Sequence, residues 1–242
     1  MKNIILCDFD GTITTEDTLV KILDRFTGGA WRIIGKKILD NELGAKIGLK
    51  LEFGLCDPKN VTKEAVVQML NEEINIDPYF KPFLEFCKNN IYEFIIVSGG
   101  FSLCIDTILK KYGLGNLPYY ANKILFEKRN IDIDYPYPSN KCDECGNCKT
   151  MHLERYRKMG YYIIYIGDSI TDRCPAKHAD LVFSKGRLSD YCVKENIAHI
   201  NYETFADIQE YLLKNNTSPH TAVWGMNTED TTGGTLERNG RK

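Results

Sequence analysis

The sequence predicts an α/β fold, a doubly wound parallel sheet with helices on both faces and a small all-helical insertion. Three observations predict it. Short apolar runs alternate with helical patterns. One long stretch after the first run breaks that alternation and reads as helical throughout. Acidic and hydroxyl residues follow the runs, at what would be the carboxyl edge of a parallel sheet, where ligands bind.

The elements follow in chain order. Residues 3–7 form the first apolar run, which ends in Asp8-Phe9-Asp10-Gly11-Thr12. Residues 15–76 hold no strong strand. Leu19, Ile22, Leu23 and Phe26 recur at helical spacing there, and further helical pieces fall at 31–39, 44–53 and 63–73. A helix at 79–89 precedes a strand at 93–97, which runs into Ser98-Gly99-Gly100, and a helix at 103–112 follows. Residues 120–127 and 130–135 predict a hairpin in an irregular stretch, and Pro136 and Pro138 force a loop after it. A helix at 149–159 leads to a strand at 161–166 and then to Gly167-Asp168-Ser169-Ile170-Thr171-Asp172. A strand at 180–183 and helices at 188–195 and 204–213 complete the pattern. Beyond that the composition turns polar and predicts disorder. The expected organisation is a core of residues 1–14 and 77–213, a helical cap of 15–76 and a disordered tail of 214–242.

Composition narrows the class. The 242 residues are 43% hydrophobic and 26% charged, and the net charge of −2 favours neither nucleic acid nor an anionic membrane as partner. No apolar run approaches a membrane span. The first run meets carboxylates too soon for a signal peptide, so the expected location is cytoplasmic. Nine cysteines cannot all pair within one chain. Cys7, Cys56, Cys87, Cys104, Cys174 and Cys192 are scattered and read as packing residues.

The strand ends carry the chemistry. Asp8 and Asp10 point the same way from an extended chain, and Gly11 permits a sharp turn. Asp8, Asp10, Ser98, Asp168 and Asp172 are expected to converge at one sheet edge. Such carboxylates repel one another unless a cation sits among them. Hard oxygen ligands suit Mg²⁺, which also takes phosphate oxygens. Ser98 and the Gly99 amide offer donors to an anionic oxygen, and Lys149 opens a helix as a positive point charge. Together they describe phosphoryl transfer to a carboxylate.

The order Asp-x-Asp-Gly-Thr, Ser-Gly-Gly, Lys, Gly-Asp-x-x-x-Asp resembles the four motifs of the haloacid dehalogenase superfamily of phosphatases, over residues 3–213. The resemblance implies a Rossmann-like core with a C1-type cap that closes over the substrate. It implies that Asp8 is the nucleophile and Asp10 the general acid and then base. Ser98, Gly99 and Lys149 would bind the phosphoryl group. Mg²⁺ would be held by Asp8, the Asp10 carbonyl and Asp168, with Asp172 counted in the metal set and fixing a bound water or Lys149. The implied enzyme is a Mg²⁺-dependent phosphatase of a small phosphorylated metabolite, a monomer or homodimer.

Within the superfamily, residues 7–14, 142–149 and 166–180 resemble the 2-hydroxy-3-keto-5-methylthiopentenyl-1-phosphate phosphatase family of methionine salvage. Val97-Ser98-Gly99-Gly100-Phe101 is similar to phosphoserine phosphatases. That family carries a Glu at the cap entrance and an Arg in the cap, whereas here Asp17 stands at the entrance and residues 43–55 hold no Arg. Asp17 is thus a candidate specificity residue. Asp172-Arg173-Cys174-Pro175 is similar to phosphocholine and phosphoethanolamine phosphatases, so the substrate stays open. The contrasting class is a non-catalytic regulator that binds phosphorylated metabolites. The intact motif set speaks against it.

Cys142, Cys145 and Cys148 with His152 give the spacing Cys-x2-Cys-x2-Cys-x3-His. That spacing admits a structural Zn²⁺ site, free thiols in a loop or a redox-active pair. The expectation is a cluster without tightly bound metal.

Overall fold

The N-terminal apolar run forms β1 (Lys2–Cys7), buried at every position after Lys2. The computed structural model describes residues 2–40, 42–127 and 130–215. The tail expected at 214–242 lies, beyond residue 215, outside the described residues. β1 pairs in parallel with β2 (Tyr92–Phe101) on one side and β5 (Tyr161–Gly167) on the other. β6 (Leu181–Ser184) and β7 (Ile200–Asn201) extend the sheet in parallel beyond β5. Beyond β2 lie β3 (Tyr119–Phe126), parallel to it, and β4 (Ile131–Asp134), antiparallel to β3. The order in the seven-stranded sheet is β4-β3-β2-β1-β5-β6-β7. This is the Rossmann-like α/β architecture that the alternation predicts.

Side chains alternate across the sheet with the period of an extended chain. Ile5, Cys7, Phe94, Ile96, Ile164 and Ile166 share one cluster with residues of α5 (Phe80–Asn89), α6 (Ser102–Lys111) and α10 (Phe205–Lys214). Its aromatic centre packs Phe80 and Phe83 onto Phe205, at ring-centroid distances of 4.9 and 5.1 Å. Ile4, Leu6, Ile95, Val97, Ile163 and Tyr165 face the other way, onto Leu153 and Tyr156 of α7 (Lys149–Lys158). With both faces of the central strands covered, strand ends are where polar groups can gather.

Four helices stand between β1 and α5: α1 (Thr18–Thr27), α2 (Arg32–Leu39), α3 (Ala45–Phe53) and α4 (Lys63–Glu73). Asp17 caps α1 by accepting from the Leu19 and Val20 amides, at 2.8 and 3.0 Å. The chain leaves for these helices and returns from them along paired segments. The Asp77 amide donates to the Ile13 carbonyl and the Thr15 amide to the Asn75 carbonyl, both at 2.9 Å. Leu23, Leu49, Phe53, Met69 and Leu70 join the same apolar cluster as the sheet. Phe53 meets Phe101 edge-on at 4.9 Å.

Three features differ from the sequence reading. β2 does not stop at Val97 but continues through Ser98-Gly99-Gly100, with a register shift between Val97 and Phe101. The irregularity falls where two glycines carry no side chain to oppose it. The hairpin of β3 and β4 is part of the main sheet rather than a separate excursion, because β3 finds the open edge of β2. β7 has two residues, too few to show a period. A 3-10 turn (Ile170–Asp172), α8 (Arg173–Ala176) and α9 (Gly186–Lys194) follow the loop after β5. Among the described residues, no helix is long and apolar enough to cross a membrane.

Candidate active site

β1 delivers Asp8 and β5 delivers Asp168 to the same sheet edge. The turn after β5 brings Asp172 back beneath them. Carboxylate oxygens of Asp8, Asp168 and Asp172 lie within 4.8 Å of one another. The first residue of α7, Lys149, reaches into this group. Its Nζ is 2.6 Å from Asp8 Oδ1 and 2.6 Å from Asp172 Oδ1. Lys149, Asp8 and Asp172 are all buried.

Asp172 has no acceptor to spare. Tyr165 donates to its Oδ1 at 2.5 Å, beside Lys149. The amides of Asp168 and Ser169 donate to its Oδ2 at 3.1 and 3.0 Å. A carboxylate offers about four lone-pair positions; these four donors use them, and the Ser169 hydroxyl adds a longer contact to Oδ2 at 3.4 Å. The sequence reading counts Asp172 both in the metal set and as the group that fixes Lys149, and Asp172 lies in the aspartate trio at ligand spacing while contacting Lys149. Near as it is, its contacts orient Lys149 and tie down the loop. Asp168 is freer: Oδ1 accepts from the Thr12 hydroxyl at 2.8 Å. Gly11 makes room for Asp168, since it has a φ of +73° and a Cβ there would lie 2.6 Å from Asp168 Oδ2.

Asp10 stands at the junction of sheet and helical insertion. Its Oδ1 accepts from the amide and hydroxyl of Thr18, at 3.0 and 2.5 Å. Ser98, fully buried at the β2 irregularity, donates to Asp10 Oδ2 at 3.4 Å and accepts from the Gly100 amide at 2.9 Å. Gly99 and Gly100 border the cavity above. The Asn147 amide group braces this corner, donating to the carbonyls of Ser98 and Tyr120 at 2.8 and 2.9 Å.

Burial sets the electrostatics. It raises the Asp8 carboxyl well above the ordinary range, with Asp172 adding and Lys149 opposing. Burial and then Asp17 push Asp10 up to about 7, against the hydrogen bonds from Thr18. Asp168 rises to about 6 through burial and the charge of Asp172. Burial pulls Asp172 upward too, but Lys149 and Tyr165 overcome it and hold Asp172 below the usual value. For Lys149, burial lowers the value and the two carboxylates more than reverse it. Asp17 is raised by burial, against the α1 amides it caps.

A cavity of about 820 Å³ lies over this floor. Asp17, Leu23, Trp31, Leu49 and Glu52 contribute from the helical insertion. Cys142, Cys145 and Cys148 border it from the loop before α7, with Cys174 nearby. All are free thiols, Cys142 exposed and the other two loop cysteines half-buried. His152 is not among them in space. It is buried, its Nε2 lies 2.7 Å from Asn147 Oδ1, and its ring stacks on Tyr120 at 4.0 Å. Burial, with the Arg155 charge, lowers it to about 4. Among the described residues, the group at ligand spacing is the three aspartates, not Cys142, Cys145, Cys148 and His152.

Sequence reasoning did not single out Thr12, Tyr165, Asn147 or Glu52. Tyr165 sits inside an apolar strand, where its only signal is a hydroxyl in a run of isoleucines. Asn147 adjoins the Cys148-Lys149 pair, and an amide there that braces two carbonyls has no motif of its own.

The family model described as Putative Phosphatase matches residues 3–212. The 2-hydroxy-3-keto-5-methylthiopentenyl-1-phosphate phosphatase of Brevibacillus brevis is 34% identical over 212 residues, covering 86% of this chain and 93% of its own. The phosphatase of the same name from Exiguobacterium sibiricum is 34% identical over 211 residues, covering 86% and 95%. A substrate-bound phosphoserine phosphatase structure superposes with a TM-score of 0.67 at 22% identity, over 87% of this chain and 98% of that one. At that identity the likeness speaks for the fold.

Proposed function

From the premise that this chain belongs to the Putative Phosphatase family, and is a phosphoric monoester hydrolase of haloacid dehalogenase fold, we propose that Asp8 is its nucleophile. The ester would be a small-molecule phosphate monoester, cleaved through an aspartyl-phosphate. The observation that carries this reading is the buried Asp8–Lys149–Asp172 chain, with Asp10 beside it in one cavity.

In the first step an Asp8 oxygen attacks phosphorus and the ester oxygen leaves. Asp10 gives that oxygen its proton, so the product departs as a neutral alcohol. In the second step Asp10 takes a proton from water, the water oxygen attacks phosphorus, and inorganic phosphate leaves with Asp8 restored. A carboxyl raised to about 7 is suited to both duties. Lys149, fixed by Asp172, faces Asp8 and offsets the repulsion between two anions. Ser98 and the Gly99 amide would donate to the phosphoryl oxygens, the Gly100 amide being bonded to the Ser98 hydroxyl.

The donor set fits Mg²⁺. Three carboxylates cluster here while the Lys149 ammonium contacts only two of them, Asp8 and Asp172, and the excess of negative charge is what a divalent cation neutralises. Asp8 and Asp168 would hold the ion, with the Asp10 carbonyl as the superfamily resemblance implies. When bound, Mg²⁺ supplies Lewis-acid neutralisation of the phosphoryl charge. The helical insertion acts as the cap, excluding bulk water from the acyl phosphate.

For the substrate, identity to the relatives supports 2-hydroxy-3-keto-5-methylthiopentenyl-1-phosphate. The apolar helical wall around Leu23, Trp31 and Leu49 suits its methylthio end. The test is phosphate release from that ester, phosphoserine and phosphocholine, with Mg²⁺ and after chelation. Turnover of none of them, or turnover indifferent to Mg²⁺, would refute the proposal.

A further inference from the structure

Glu52 lies on α3, far in sequence from every motif of the site, yet it borders the same cavity as Asp8 and Asp10. It is 5% exposed. Among the described residues no hydrogen bond or ion pair satisfies it, and its charged neighbour is another carboxylate, Asp17. Burial and Asp17 raise it to about 7. A buried carboxylate without a donor is costly to keep, and the Lys149 ammonium is already committed to Asp8 and Asp172. Gly35 lets α2 approach Glu52 and Trp31 closely. A Cβ on Gly35 would lie 3.2 Å from Glu52 Oε1 and 2.7 Å from the Trp31 ring. Its cavity neighbours Leu23, Trp31 and Leu49 offer no donor that could turn toward it, apart from an indole nitrogen already bonded to Asp24.

Resting on the phosphatase reading above, we propose that Glu52 is a specificity-determining residue. It accepts a hydrogen bond from a donor on the leaving group, a hydroxyl or an ammonium, and repels leaving groups that carry a carboxylate. The apolar wall takes the hydrocarbon part of the same group. A site built around one buried polar contact discriminates strongly against analogues that leave it unmet.

The test compares kcat/KM for wild type and Glu52→Gln on four esters. These are glycerol 1-phosphate (hydroxyl), phosphoethanolamine (ammonium), propyl phosphate (no donor) and phosphoserine (carboxylate). Wild type should prefer the better donor ester over propyl phosphate by tenfold or more, and whichever of the two donors wins identifies the natural donor. In E52Q that preference should shrink at least fivefold, mainly through KM, while phosphoserine gains relative to the other three. E52Q should also melt no lower than wild type, because no protein partner is lost. An unchanged preference in active E52Q would overturn the proposal. So would a marked drop in melting temperature, which would reveal a structural partner. Loss of all phosphatase activity in the wild type would instead sink the mechanism itself, and this inference with it.

Discussion

On the floor of the cavity, each aspartate has a donor from the protein. Lys149 bridges Asp8 and Asp172, four donors surround Asp172, and Thr12 reaches Asp168. On the helical wall, Glu52 is buried near a second carboxylate, Asp17, and among the described residues no donor answers it. The floor is organised before substrate arrives, as electrostatic catalysis requires. The wall is left incomplete, which is what selectivity requires, since only a complementary ligand completes it. One cavity thus separates the invariant part of the reaction, the phosphoryl group, from the part that differs between esters.

The sharpest way to break this contrast is at the floor. Asp8→Asn should lower kcat by about 10⁴-fold or more, the scale seen when a nucleophile is removed, and the variant should keep the fold by circular dichroism. Retained turnover would mean that the floor is not the reactive side. Asp10→Asn should slow alkyl phosphates by about 10²- to 10⁴-fold, the range of general acid catalysis. It should slow p-nitrophenyl phosphate far less, because that leaving group needs no proton. Equal losses on both esters would assign Asp10 to binding alone.

Asp172→Asn probes positioning rather than chemistry. It should cost about 10²-fold in kcat, by loosening Lys149. It should also lower stability by about 3 kcal/mol, as for a broken buried ion pair, measured by urea denaturation. Loss of activity without loss of stability would point to direct metal ligation instead.

The smallest effect lies behind the floor, at His152. Its folded value of about 4 sits below the ordinary value of about 6.5, so between those pH values the unfolded chain binds more protons. Its contribution is complete above about pH 6.5, declines as pH falls and is gone below about 4, on the order of 3 kcal/mol in all. The raised carboxyls of Asp8, Asp10 and Asp168 run the other way, gaining stability as they are protonated. Comparing wild type with His152→Gln isolates the histidine. The stability gap between them should narrow from pH 6.5 to 4, and a constant gap would mean that His152 is already protonated in the fold.

The two walls also differ in how far the sequence reveals them. Asp8, Asp10, Asp168 and Asp172 occur in short motifs at strand ends, where a few residues of local chain determine direction. The topology of a parallel sheet does the rest. Lys149 is legible for the same reason, as the opening residue of a helix. Tyr165 is harder, because its hydroxyl matters only once the turn after β5 folds Asp172 back on it. His152 looks like a ligand because it shares a helix face with Cys148. Its place is decided instead by Asn147, whose amide is committed to two carbonyls and whose oxygen needs a partner. Glu52 could not be read at all. Residues 44–53 show helical spacing, but which side of α3 meets the cavity depends on how four helices dock, and periodicity carries no such information.

The sheet has one further consequence, for how copies of the protein can meet. Its two outermost strands are poor templates. β7 has two residues, and β4 has four, with Asp132 and Asp134 engaged by Lys50 and Lys123 at 3.2 and 3.6 Å. Short, charged edges discourage the addition of a foreign strand. The long apolar strands that make the core sit in the middle, where no neighbour can reach their ladders. Crowding this enzyme should therefore not extend its sheet from one molecule to the next.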